Sequence, residues 1–382
     1  MKKMKLIRSS TVPISLKTFL QGSIEPLMNK YELVLLSSPD KVLDELHLTY
    51  GVRTLAVHME RHISLFKDLK ALLILVKVFC EERPYMVHSM TPKAGLLCMI
   101  AAWIARVPRR VHTFTGLVWP TEVGAKRKLL MFMDKIICAC ATHIIPEGVG
   151  VKNDLNEHIT NKQMRVLGFG NVRGVDLSFW QKSHDVIVQS SLLKDKLNIA
   201  DTFNFLFVGR LVGDKGINEL VEAFCKLHQT YPNIRLLIVG PSEEQLDPLD
   251  SATWDRVNNS DSILNIGPIW GEDILKYYSS CHCFVFPSYR EGFPNTVLEA
   301  GAMGLPSIVT DINGSREIIV NGENGLIIPS KDADALYDAM KLMFINEPMR
   351  SYMSVMARPM IANRFEQGFV RQCMFDYYDE IM

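Results

Sequence analysis

The chain has 382 residues, 48% apolar and 22% charged, with 42 Lys and Arg against 42 Asp and Glu. At about 150 residues per domain that implies two to three globular domains. It excludes a disordered chain, a collagen, a coiled coil and a disulfide-stapled miniprotein. The zero sum hides an asymmetry. Positions 1–178 hold 25 basic and 15 acidic residues, and the remaining 204 hold 17 and 27, so a basic half precedes an acidic one.

Met1 to Lys5 is basic, but Arg8, Ser9 and Ser10 interrupt the apolar run a secretory leader needs, so no signal peptide is expected. Short apolar runs at Lys5–Ile7, Glu32–Ser37, Arg53–Val57, Met86–His88, Arg109–His112 and His143–Ile145 predict strands. Leu65–Cys80 and Gly95–Arg106 read as amphipathic or buried helices. Buried strands alternating with helices predict a parallel sheet covered on both faces.

The scheme repeats in the second half. Strands are predicted at Phe203–Val208, Ile234–Val239, Ser262–Ile266, Cys283–Phe286 and Ser307–Val309. Helices are predicted at Ile217–Tyr231, Ile274–Ser280 and Thr296–Met303. The expected class is α/β, two Rossmann-like doubly wound domains covering 1–178 and 179–365, with a last helix over 366–382 that could cross back to the first. In such folds ligands sit outside the carboxyl ends of the strands.

The longest uncharged apolar run, Ala94 to Ala105, has 12 residues, short of the roughly 18 that span a bilayer. Lys93, Arg106, Arg109, Arg110, Lys126, Arg127 and Lys128 surround or follow it, with Glu122 the sole acid from 93 to 128. Two readings stay open for 93–128: a core helix, or contact with an anionic membrane surface. Eight cysteines are too few for a disulfide framework, so a reducing, cytoplasmic setting is expected. Cys138/Cys140 and Cys281/Cys283 form C-x-C pairs that would share a strand face; without a His/Cys second half at zinc spacing they read as small buried hydrophobes.

The densest chemistry runs from Phe284 to Pro329. A strand is followed by Arg290-Glu291-Gly292-Phe293-Pro294-Asn295 and then by a helix near Thr296. Pro294 suits a helix entry, Gly292 allows close backbone approach, and the helix start attracts a diphosphate. Glu291 and Glu299 can accept hydrogen bonds from sugar and ribose hydroxyls. The second signal is Val208-Gly209-Arg210-Leu211 with Asp214-Lys215-Gly216, where Arg210 and Lys215 bracket a turn after a strand and can neutralise a leaving diphosphate.

These motifs, VGRL…DKG and SYREGFPNTVLEAGAMGLPSIVTD, strongly resemble the retaining glycosyltransferases of family 4, which have the GT-B fold. VHSMTPKAGLL at 87–97, AAWIARVPRRVHTFTGL at 101–117 and GAKRKLLMFMDK at 124–135 look like the bacterial subgroup that extends polyprenyl-diphosphate-linked glycans, including N-acetylhexosaminyl transferases. The resemblance implies that Arg210 and Lys215 hold the donor diphosphate, and that Glu291 contacts the transferred sugar. Gly292, Phe293, Asn295 and Thr296 surround sugar and phosphate, and Glu299 binds ribose. His112 then lies near the reacting end of the sugar, while Thr91, Lys93 and Gly95 face the acceptor.

The chain departs from the subgroup at His88-Ser89-Met90 (commonly His-Ser-His), at Pro146-Glu147-Gly148 (commonly Ser) and at Gly168-Phe169-Gly170-Asn171 (commonly a Gly-Ser-rich turn). The implied reaction moves a sugar, HexNAc by resemblance, from a UDP-sugar to a polyprenyl-diphosphate-linked saccharide in bacterial surface-glycan synthesis. It proceeds with retention, at the inner face of the cytoplasmic membrane. Competing readings are a GDP-sugar transferase, a UDP-HexNAc 2-epimerase and a non-catalytic nucleotide-sugar binder. No cofactor or metal is expected, and no nucleic-acid partner: Asp332-Ala333-Asp334, though a D-x-D, sits where an Asp caps a helix.

Overall fold

A computed structural model describes residues 3–60, 62, 64–243 and 247–382. The chain divides into two compact units, Met1–Gly174 with Gln367–Met382, and Val175–Glu366.

The first unit contains strands β1 (Lys5–Ser9), β2 (Glu32–Ser37), β3 (Arg53–Ala56), β4 (Met86–Ser89), β5 (Arg109–Phe114) and β6 (His143–Pro146), all parallel in the order β3-β2-β1-β4-β5-β6. Its helices are α1 (Pro13–Phe19), α2 (Ile24–Lys30), α3 (Lys41–Tyr50), α4 (Leu65–Glu82), α5 (Pro92–Ile104), α6 (Gly124–Cys140) and α7 (Val149–His158). Alternate strand residues feed opposite faces. Ile7, Val34, Leu36, Val87 and Ile144 pack with α4–α7. Leu6, Leu33, Leu35, Met86, Val111 and Ile145 pack on the other side with α1–α3 and the last helix, α16 (Gln367–Ile381).

The second unit begins with α8 (His184–Lys196). Strands β7 (Phe203–Val208), β8 (Ile234–Val239), β9 (Ile263–Gly267), β10 (Cys283–Phe286), β11 (Ser307–Thr310) and β12 (Gly325–Ile328) form a parallel sheet ordered β12-β11-β10-β7-β8-β9. Helices α9 (Ile217–Thr230), α10 (Ser251–Asn259), α11 (Asp273–Ser280), α12 (Asn295–Ala302), α13 (Ser315–Ile318), α14 (Ala333–Ile345) and α15 (Glu347–Phe365) cover it. Both sheets are doubly wound α/β, as the strand–helix alternation predicted. β12 lay beyond the predicted strands, because Gly325-Leu326-Ile327-Ile328 is short and follows a glycine-rich turn.

Two local expectations change. Cys138 and Cys140 lie on helix α6, where residues two apart point to different sides, so they share no strand face. Cys281 ends α11 and Cys283 opens β10. Burial pushes Cys138 up to about 12 and raises both Cys281 and Cys283, which makes them inert packing groups. No cluster that could hold a metal occurs among the described residues.

The run Ala94–Ala105 is core. Ala94, Cys98, Met99, Ala101 and Ala102 are fully buried on α5, and within the run only Trp103 and Ile104 are exposed. Among the described residues no helix is long and apolar enough to cross a membrane.

Candidate active site

In the second sheet the winding direction reverses between β10 and β7, which opens a crevice beyond their carboxyl ends. The loops after those strands interlock there. Tyr289 N–H donates to the Asp214 carbonyl at 2.9 Å, Ser288 Oγ lies 3.2 Å from the same oxygen, and Arg290 pairs with the Asp214 carboxylate at 3.2 Å. Gly216 makes the approach possible. Its φ is +70°, and a Cβ there would stand 2.1 Å from the Pro287 carbonyl oxygen.

This knot sets Lys215 against Glu291 as an ion pair, with Ser288 Oγ donating to the same Glu291 oxygen at 3.1 Å. The Lys215 ammonium also lies 5.6 Å from the Phe286 ring centroid. Arg210, on the same β7 loop, pairs with Glu243 at 2.7 Å. Gly292 and Phe293 are buried, Pro294 is the extended residue before α12, and Asn295 and Thr296 form the first turn of that helix. The first N–H groups of a helix have no acceptor within it and carry its positive dipole end. One turn on, Glu299 accepts a 3.4 Å hydrogen bond from Tyr278 Oη. The structure thus gathers Lys215, Glu291 and the α12 entrance, with Arg210 and Glu299 placed on the same loop and helix.

The first sheet reverses between β1 and β4. At that edge Thr91, which precedes α5, meets Thr11: the two hydroxyls are 2.8 Å apart, and Thr11 N–H donates to Thr91 Oγ1 at 2.9 Å. His112 on β5 is buried, its Nδ1 2.8 Å from Ser89 Oγ and its ring edge-on to Phe114. Burial brings its pKa down to about 3, so the imidazole is neutral at physiological pH. Gly95 is the reason the ring fits, since a Cβ there would stand 2.3 Å from His112 Cε1.

Lys93, which the resemblance turns towards the acceptor, is held in an ion pair at the start of α5. It is 7% exposed, and its ammonium binds the Asp68 carboxylate at 2.5 Å and the His62 carbonyl at 2.9 Å. In this arrangement it stitches α4 to α5.

Sequence reasoning passed over two groups. Arg8 is fully buried on β1 and donates to Tyr378 Oη at 2.8 Å, Met374 Sδ at 3.3 Å and Met90 Sδ at 2.9 Å. His88 lies beside the same phenol and 2.7 Å from Thr113 Oγ1. Met90, where the subgroup commonly has His, therefore packs on a buried guanidinium. An arginine inside the apolar run Lys5–Ser9 was the available signal. The second group is Asp134, whose carboxylate accepts from Trp119 Nε1 at 3.0 Å. It lines a cavity with His112, Phe114, Trp119, Leu130 and Met133, and burial raises its pKa to about 7. Asp332 caps α14 by accepting from Ala335 N–H at 2.8 Å, as expected, and Asp334 pairs with Lys226 at 2.6 Å.

Residues 30–167 match the model of the glycosyl transferase 4-like domain, and residues 188–360 match that of the glycosyl transferases group 1. The chain is 31% identical, over all its length and 98% of the relative's, to the capsular polysaccharide biosynthesis glycosyltransferase CapM of Staphylococcus aureus. It is 31% identical, over 80% of its length and 78% of the relative's, to the Escherichia coli UDP-Gal:alpha-D-GlcNAc-diphosphoundecaprenol alpha-1,3-galactosyltransferase. Among solved structures, that of Anabaena HepE in complex with UDP superposes with a TM-score of 0.80 at 18% identity, covering both chains completely. The chain belongs to the group 1 glycosyl transferases, with a 4-like first domain and the GT-B fold.

Proposed function

We propose that this glycosyltransferase moves a sugar from a UDP-sugar, a hexose or N-acetylhexosamine, to a hydroxyl of a polyprenyl-diphosphate-linked saccharide in surface-polysaccharide synthesis. The observation that carries the reading is the knot of loops after β7 and β10. It puts Lys215 and Glu291 in contact beside the α12 entrance, with Arg210 on the same loop as Lys215. Cations at a helix N-terminus suit a departing diphosphate, and a carboxylate beside them suits sugar hydroxyls. The nucleotide and the acceptor class are taken from the E. coli relative, whose name states both.

In the proposed reaction the acceptor oxygen bonds to the anomeric carbon on the face from which the diphosphate departs, so configuration is retained. The carbon–oxygen bond to phosphate breaks with its electron pair on UDP, and the acceptor proton passes to that phosphate oxygen. Arg210, Lys215 and the first turn of α12 stabilise the developing charge. Diphosphate replaces Glu243 and Glu291 as the partner of the two cations, which frees Glu291 for the sugar. Neutral His112 offers a hydrogen bond without a competing charge. No resident metal is part of this reading, and Asp332 serves as the cap of α14.

The test is transfer of radiolabelled UDP-galactose, UDP-GlcNAc and UDP-GalNAc to undecaprenyl-diphosphate-GlcNAc in detergent. Label moved to the lipid by wild type and lost in Glu291→Ala supports the reading. Transfer from GDP-mannose alone would redirect it to a GDP-sugar, and epimerised free UDP-HexNAc without transfer would make the chain an isomerase.

A further inference from the structure

The first unit carries an apolar surface that the donor site does not explain. On α4, Leu65, Phe66, Leu69 and Leu73 are 80%, 91%, 56% and 64% exposed. At 100° per residue these four positions fall within about a third of the helix circumference. The opposite side, with Ala71, Leu75 and Phe79, faces the core. Val123, just before α6, and Leu129 and Phe132 on it are exposed, while Ile137 and Cys138 are buried. The two helices flank the buried α5 on one face of the sheet. An exposed apolar stripe of this extent on a folded domain marks an interaction surface.

The charges beside the stripes are basic. Lys67, Lys70 and Lys77 lie along α4, and Lys126, Lys128 and Lys135 along α6, all exposed. Lys67, Lys77 and Lys126 are offset by Glu60, Glu81 and Glu122, which leaves Lys70, Lys128 and Lys135 to carry the net positive charge of the two helices. Asp68 is turned inward to Lys93, and Asp134 to Trp119. Glu60 pairs with Lys67 and Glu122 with Lys126. Glu81 lies 3.8 Å from Lys77, and Glu82 is held by Lys5 and Arg53 at the far end of α4. Apolar side chains between long basic ones, whose stems lie along an apolar surface while their ammonium groups reach phosphate, match a negatively charged leaflet.

We infer that α4 and α6 together form the seat of this enzyme on an anionic lipid bilayer, with Phe66, Leu69 and Phe132 inserted among the acyl chains. Helices of parallel β-α-β crossovers start at the carboxyl ends of the strands. The exposed starts of α4 and α6 therefore lie at the same edge as Thr91 and the start of α5. A bilayer seated there brings a lipid-linked acceptor to that edge, a clause that rests on the proposed function.

The experiment is flotation of the full chain with phosphatidylglycerol/phosphatidylethanolamine vesicles and with phosphatidylcholine vesicles. Wild type is expected to float with the anionic vesicles only. The triple variant Phe66→Ser/Leu69→Ser/Phe132→Ser is expected to bind at least tenfold more weakly. Lys70→Glu/Lys128→Glu/Lys135→Glu is expected to lose binding at low salt as well. Both keep wild-type transfer to a short-chain, water-soluble acceptor, which shows that they fold. Unchanged flotation of the apolar variant overturns the inference. So does a dimer in sedimentation equilibrium that the same substitutions dissolve, since a second copy would then cover the face. A protein that floats as expected yet transfers sugar to neither acceptor overturns the proposed function and leaves the seat standing.

Discussion

At the carboxyl edge of the second sheet the cations are answered by carboxylates: Lys215 by Glu291, Arg210 by Glu243, Arg290 by Asp214. At the corresponding edge of the first sheet, Arg8, His88 and His112 are buried, and their partners are a phenol, thioethers and hydroxyls, with Lys93–Asp68 the exception. A cation held by a carboxylate on a cleft loop, partly exposed at Arg210 and more enclosed at Lys215, can exchange that carboxylate for a diphosphate, which keeps the charge paired. A buried neutral imidazole, or a guanidinium enclosed by sulfur and phenol, holds one geometry and exchanges nothing. One doubly wound scaffold therefore ends in an ion-exchanging edge in one unit and in a fixed, buried one in the other.

The largest expected effects break the second edge. Lys215→Ala and Glu291→Ala should each lower kcat/KM at least about 100-fold, the scale of losing one donor to a developing oxyanion. Each also strands the other's charge, so circular dichroism melts must accompany the kinetics. An active Lys215→Ala enzyme would make the knot structural. Gly95→Ala attacks the first edge. With a Cβ at 2.3 Å from His112, the ring must move, at a cost of about 1–3 kcal/mol and with loss of transfer. Denaturant unfolding and initial rates separate the two effects.

Tyr378→Phe removes the oxygen acceptor of Arg8, leaving it only thioether sulfurs, and takes the hydroxyl from beside His88; it should destabilise the chain by about 1–3 kcal/mol. Arg8→Met in the same background should recover most of that loss, because the buried charge leaves with its partner.

pH sharpens the comparison further. Burial lowers the pKa of His88 and takes that of His112 to about 3, whereas an unfolded imidazole protonates near 6.5. Their contribution to stability is thus fully present above about pH 6.5 and is lost as pH falls towards 3. Asp134 works the other way. Its carboxyl keeps its proton to about pH 7 in the fold but to about 4 in the unfolded chain, so its burial costs stability as pH rises from 4 to 7. Asp134→Asn, which can still accept from Trp119, should raise Tm by about a few degrees at pH 8 and leave it unchanged near pH 4. The smallest effect belongs to Asp332→Ala, about 1 kcal/mol from a lost helix cap, with transfer intact and insensitive to EDTA.

Much of this contrast was legible in the residues. Strands that are apolar throughout, such as Cys283–Phe286, announced sheets covered on both sides, and the Gly and Pro around Glu291 announced a loop pressed against a helix entrance. What was hidden depends on tertiary packing. The run Ala94–Ala105 and the predicted helix Leu65–Cys80 both carry enough apolar residues to be core, and periodicity alone does not say which helix is enclosed by its neighbours. The first proved buried, while half of the second is exposed. The ion pair of Lys93 was hidden because its partner Asp68, 25 positions away, is not a neighbour in sequence. Arg8 and Tyr378 are separated by 370 positions and become partners only because α16 packs on the first sheet.

The most direct test of the central claim, that the edge of β7, β10 and α12 holds the donor, is thermal unfolding of the purified protein with UDP, GDP or ADP. The account predicts a rise in Tm with UDP alone that is lost in Glu299→Ala and Lys215→Ala. A rise with UDP that survives both substitutions, or no rise with any of the three nucleotides, would contradict it.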